Sequence, residues 1–260
     1  MTKQIVKRLS VPFIITCAVG MIAEIIAVIW KTRDSVSMYP INAWVSANEL
    51  LTLTYPIFVT LPFCHILYYE NKNGYFNYVQ TRISLKTYLL HHYACGAAMA
   101  AACVFLITFS GLLTSFFVKP LYVDEPQLSQ YAGDFMGLTK IYHPLLYGIT
   151  LSLWQSLIGA LMYTFGFLLS LNSRHLFVIL TGGFIYSFLE NFITAVLDCS
   201  NFSLCYSFYP DGLYWPYFSV SPYLSLLVGP TVLALVCGGL LRHYITQRRR
   251  EYGGTAAEAA

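Results

Sequence analysis

Six apolar runs constrain this chain more than any other feature. They cover about residues 11–30, 51–69, 93–117, 145–171, 176–197 and 223–241. As helices, runs of this size cross roughly 30 Å of hydrocarbon at about 1.5 Å per residue. Inside a bilayer the backbone must satisfy its hydrogen bonds within the segment, which leaves helices as the spanning element. The charge content argues against a soluble domain, because only 10% of the 260 residues are charged, whereas soluble domains carry about 25%. The aromatic share of 17% suits the bilayer interface, where Tyr and Trp are favoured. The expectation is an all-α integral membrane protein with six transmembrane helices. It forms one domain over residues 1–251, followed by a disordered tail over 252–260.

Lys and Arg set the orientation. With the N-terminus inside, the inner segments hold 11 of the 15 basic residues and the outer segments hold Lys31, Arg33, Lys119 and Lys140. The positive-inside rule then predicts both termini in the cytoplasm. The first run follows Lys3, Lys7 and Arg8 and is too long for a signal-peptide core, so it reads as a span. The outer segments differ in character. Residues 31–50 read as a short polar loop, and residues 198–222 are dense in Tyr, Phe and Trp. The aromatic loop is expected to dip into the interface or pack on the outer ends of the spans. Cys199 and Cys205 share that loop and could pair, and no metal-ligand spacing occurs among the seven cysteines.

One polar island interrupts the apolar chain, Glu70–His92, with the sequence ENKNGYFNYVQTRISLKTYLLHH. From Gly74 onward an amphipathic helix would gather Tyr75, Phe76, Tyr78, Val79 and Ile83 on one side. Asn77, Gln80 and Thr81 would lie opposite, and Arg82 and Lys86 would share a face four residues apart. The plainer alternative is an interfacial loop anchored by tyrosines and basic residues.

The order of residues in this island is an acidic Glu70, then Gly74, a short helix, the turn Thr81-Arg82-Ile83-Ser84, and Lys86 and Tyr88 entering the third span. With the six-span layout, this resembles the permease subunits of the type-2 ABC exporter superfamily. The resemblance implies that residues 70–92 include a coupling helix seated on a separate ATPase. Tyr75, Phe76, Val79, Arg82, Ile83 and Lys86 would make that contact, and Arg174, in the turn at 172–175, would make a second. It further implies two ATPase copies carrying ATP and Mg, a second permease chain (the same or a related one), and a bacterial plasma membrane. The cargo would be hydrophobic or amphipathic: a cationic peptide, a drug or a lipid. The phosphate-cradling pattern G-x-x-x-x-G-K-[ST] is absent, so this chain has no cofactor or ATP site of its own to expect. It also departs from many such permeases, because only about ten residues precede the first span.

Ionisable residues at membrane depth are functional candidates. Glu24 lies in the first span on a stripe with Cys17, Gly20 and Ala27. Glu190 lies in the fifth, on a stripe with Gly183, Ser187, Asn191 and Thr194. Both should sit about 20 Å above the cytoplasmic entry of their spans. The expectation is a shared acidic vestibule, a substrate pathway lined by Glu24, Ser187, Glu190 and Asn191; the plainer alternative is that each Glu bonds a neighbouring helix. His91 and His92 read as interface anchors rather than metal or haem ligands. Arg248–Arg250 reads as a surface or ATPase-facing cluster, with no nucleic acid implied. Two other classes stand beside the transporter. One is a non-catalytic membrane assembly or immunity protein. The other is an intramembrane enzyme, although G-x-S-x-G and H-E-x-x-H do not occur and no catalytic residue stands out.

Overall fold

The computed structural model describes residues 2–34, 40–118, 135–173, 175–213 and 220–258. Among them 91% are helical and none is in a strand. The helices are α1 (Thr2–Asp34), α2 (Pro40–Lys72), α3 (Tyr75–Gln80), α4 (Leu85–Phe117), α5 (Gly137–Tyr142), α6 (Pro144–Asn172), α7 (Leu176–Val196), α8 (Leu204–Phe208) and α9 (Pro222–Glu258). Short 3-10 turns at Ser200–Phe202 and Pro210–Gly212 flank α8. Six helices, α1, α2, α4, α6, α7 and α9, are long and apolar enough to cross a membrane. Six crossings return the chain to its starting face, so both termini share one end of the bundle.

Several spans exceed the apolar runs that announce them. α1, α2 and α4 contain 33 residues each, or about 50 Å of helix. The polar stretch read as an outer loop over residues 31–50 is mostly helix, and its middle, 35–39, lies outside the described residues. Tertiary packing explains the difference. Trp44 and Asn48 are fully buried on one face of α2, and Trp44 Nε1 donates to the Thr108 carbonyl of α4 at 2.9 Å. That burial outweighs the local polarity of the segment. α9 runs on to Glu258, into the stretch expected as a tail. Past Gly253 and Gly254 the chain offers good helix formers in Ala256, Ala257 and Glu258.

α2, α4 and α6 form the centre of the bundle. Tyr55, Phe63, Leu67, Met162 and Tyr163 are completely buried there. α1 lies across α2 and α4, α7 lies on α2, and α9 lies on α6 and α8. The peripheral spans keep long apolar faces uncovered. Val11, Ile14, Ile15, Ile22 and Ile26 on α1, and Phe188, Phe192 and Val196 on α7, are all exposed. In water such faces would be unstable, whereas hydrocarbon or another apolar helix accommodates them.

Candidate functional site

The polar island folds into a tight elbow. α2 ends at Lys72, and Gly74 turns the chain with φ +70°, a left-handed conformation that side chains resist. α3 then lasts only six residues. Thr81–Ile83 form a turn, and Ser84 caps α4 by accepting the Thr87 N–H at 3.3 Å. Phe76 and Val79, about 60° apart around the helix, are both buried against this chain's own core.

The expected contact set divides accordingly. Phe76 and Val79 are consumed by internal packing and cannot meet a partner, while Tyr75 is half-buried. Arg82, Ile83 and Lys86 are exposed. Ile83 does not join the apolar face of Phe76, because the helix stops three residues before it. Tyr78 is also exposed, at the rim of the buried arc. Arg174 lies outside the described residues.

A polar strut fixes the elbow to three spans. Arg8 Nη1 of α1 donates to Glu70 Oε1 of α2 at 2.8 Å, and the Tyr88 hydroxyl of α4 donates to Glu70 Oε2 at 2.7 Å. The carboxylate is nearly buried while the Arg8 side chain is half in the open. The Arg8 guanidinium also lies 5.4 Å from the Tyr75 ring centre, and Tyr75 and Phe76 both pack against the Tyr88 ring. Sequence reasoning singled out Glu70 and Tyr88 but not Arg8 as their partner. The signal was there: Glu70 stands among many basic residues at this end of the bundle and needs a cation.

The elbow shares a groove with the second inner turn. Asn77, Asn172, Ser173, Tyr244 and Gln247 line a cavity of about 360 Å³. Asn172 orders that side by donating to the Leu168 carbonyl at 2.8 Å, and its Oδ1 meets His243 Nδ1 at 3.1 Å. Residues 77 and 172, distant in the chain, thus face one recess.

At the opposite end, the expected acidic vestibule does not form from this chain alone. Glu24 is buried where α1 meets α2 and α4. Its Cγ lies 2.6 Å from where a side chain on Gly111 would begin, and Trp44 closes the same spot. Its Oε1 has no hydrogen-bond partner. Glu190 instead holds the aromatic loop, accepting from the Ser203 hydroxyl and the Leu204 N–H, each at 2.9 Å. Asn191 Oδ1 accepts from Ser203 as well. The Ser187 carbonyl takes the Cys205 thiol at 3.9 Å. Ser187, Glu190 and Asn191 therefore act together, but on α8, and Glu24 belongs to another interface.

α8 is gripped at both ends. Trp154 Nε1 and Gln155 Nε2 of α6 donate to the carbonyls of Ser207 and Phe208 at 2.8 and 3.0 Å. The Phe208 ring stacks on Tyr55 at 4.2 Å, and the Leu204 backbone lies against Gly229 of α9. The loop thus packs on and between the spans, although 214–219 lie outside the described residues. Cys199 and Cys205 are both free thiols. Burial pushes the Cys205 thiol up to about 12, which keeps it protonated at neutral pH. Farther out, Lys140 and Asp211 form a buried ion pair at 3.1 Å, and the Tyr147 hydroxyl donates to the same carboxylate at 2.6 Å. Among the described residues no cluster of His, Cys, Asp or Glu could hold a metal ion.

These features define a multi-pass helical membrane protein with a braced elbow at the end holding both termini. The chain matches no family model, no curated protein and no solved structure.

Proposed function

We propose that this chain is the membrane-spanning permease subunit of an ATP-driven exporter. A separate ATPase, in two copies, docks on the end bearing the elbow, which the basic residues favour as cytoplasmic. One observation carries the reading: the elbow and the turn at 172–173, remote in sequence, line one polar recess. A polar recess at this end, on an elbow whose Thr81 and Lys86 are exposed, suits a soluble protein surface. The contact falls on the polar tip, at Asn77, Gln80, Thr81 and Lys86, because Phe76 and Val79 are spent on internal packing. The lean burial of α1, α7 and α9 supports a second permease chain against their apolar faces. The cargo is hydrophobic or amphipathic, moved out of the cytoplasm or the membrane.

The test is purification of the tagged chain from its native membranes in mild detergent, with ATPase activity assayed. An ATPase is expected to copurify, and the pair Thr81→Arg and Lys86→Glu should lower its recovery about tenfold while the helical content holds. Absence of any ATPase from a stable, homogeneous preparation would sink the reading in favour of an assembly or immunity protein.

A further inference from the structure

We infer that the flank of the elbow facing α1 is a binding site for the phosphate headgroup of an anionic membrane lipid. A cavity of about 210 Å³ opens there, lined by Gln4, Ile5, Arg8, Tyr75, Tyr88 and Arg82 among others. Two guanidinium groups line one small recess. Arg8 reaches Glu70 through Nη1, which leaves its other N–H donors for a second oxygen ligand. Arg82 has no carboxylate partner among the described residues. It lies over the Tyr78 ring at 4.9 Å, as Arg8 lies over Tyr75. Ring stacking holds each planar fork in place and limits the entropy lost when a phosphate is bound. Among the described residues lining this recess and the cavity that adjoins it, Glu70 is the one carboxylate, and it is already matched by Arg8 and Tyr88, so the recess keeps a positive balance.

The surroundings select a lipid over a free phosphate. A second cavity of about 510 Å³ shares Arg8, Tyr75 and Tyr78 with the first and climbs α2 past Tyr69 and Ile66 to His65. Ile66 lies four residues before Glu70, about 6 Å farther along the helix. Tyr69 is exposed and Ile66 half-exposed, so an acyl chain can lie along them while its phosphate meets the two guanidiniums. Basic recesses between spans at the cytoplasmic face suit lipid headgroups in general. The site needs no ATPase and stands apart from the docking reading.

The test uses the purified full-length chain in mixed micelles with equal phosphatidylglycerol and phosphatidylcholine, and bound lipid is counted by native mass spectrometry. Phosphatidylglycerol is expected to be retained selectively. Arg82→Gln should cut that preference about fivefold, the worth of one basic residue near the surface. Arg242→Gln, which removes an exposed basic residue of α9 at the same end, should leave it unchanged. Equal retention of the two lipids, or equal losses from Arg82→Gln and Arg242→Gln, would overturn the site. Thermal protection by inorganic phosphate equal to that by phosphatidylglycerol would overturn its assignment to a lipid.

Discussion

At the scale of single residues, Glu70 carries more than its neighbours. It is the common acceptor for Arg8 and Tyr88, so its loss leaves two donors unmatched, while the loss of either donor leaves one bond standing. Glu70→Ala is therefore expected to cost about 2 kcal/mol. Arg8→Ala should cost less, because the Arg8 side chain is half-exposed and water screens its half of the pair. Thermal unfolding in detergent checks the order, and an Arg8→Ala loss equal to that of Glu70→Ala would contradict it. Glu24 shows the limit of reading residues from the sequence. Glu24 is buried with Cys17 and Ala27 of its stripe, which faces the neighbouring helices. Its partners were not legible, because they depend on which helix meets α1 at Gly111 and Trp44. Depth along a span can be counted, but the angle at which a neighbour approaches cannot.

At the scale of elements, the spans were legible, as was a short helix opening after Gly74, while the early end of α3 and the whole of α8 were not. Apolar length announces a span, but α3 and α8 have six and five residues, below the length at which periodicity is informative. Their boundaries are set by caps: Gly74 opens α3, and Ser203 with Glu190 opens α8. The grip on α8 gives a direct expectation. Glu190→Ala removes the acceptor of the Leu204 N–H and one acceptor of Ser203, and the first turn of α8 should fray. Cys205, now 5% exposed, should then react several-fold faster with a maleimide, while the half-exposed Cys199 changes little. Site-resolved mass spectrometry separates the two thiols. An unchanged Cys205 would mean that Trp154, Gln155 and the Tyr55 stack hold α8 without Glu190.

At the scale of the molecule, six helices and a shared end for both termini follow from hydrophobicity and an even number of crossings. The face that end occupies rests on the basic residues alone. Single cysteines at Gln80 and Tyr142, in a chain otherwise free of cysteine, test it with an impermeant thiol reagent on intact cells. Tyr142 is expected to react and Gln80 only after the cells are opened; the reverse pattern would invert the topology and move the elbow away from any cytoplasmic motor.

The Arg8–Glu70–Tyr88 strut has a mechanical meaning. It joins three spans where the elbow leaves the bundle, and Phe76 and Val79 wedge the elbow against them. A load applied at Thr81 would reach α4 through the short turn at 81–84, and α1 and α2 through the buried pair Phe76 and Val79 and the strut. A junction so braced would work as a yoke, sharing torque at the tip among three long levers at once.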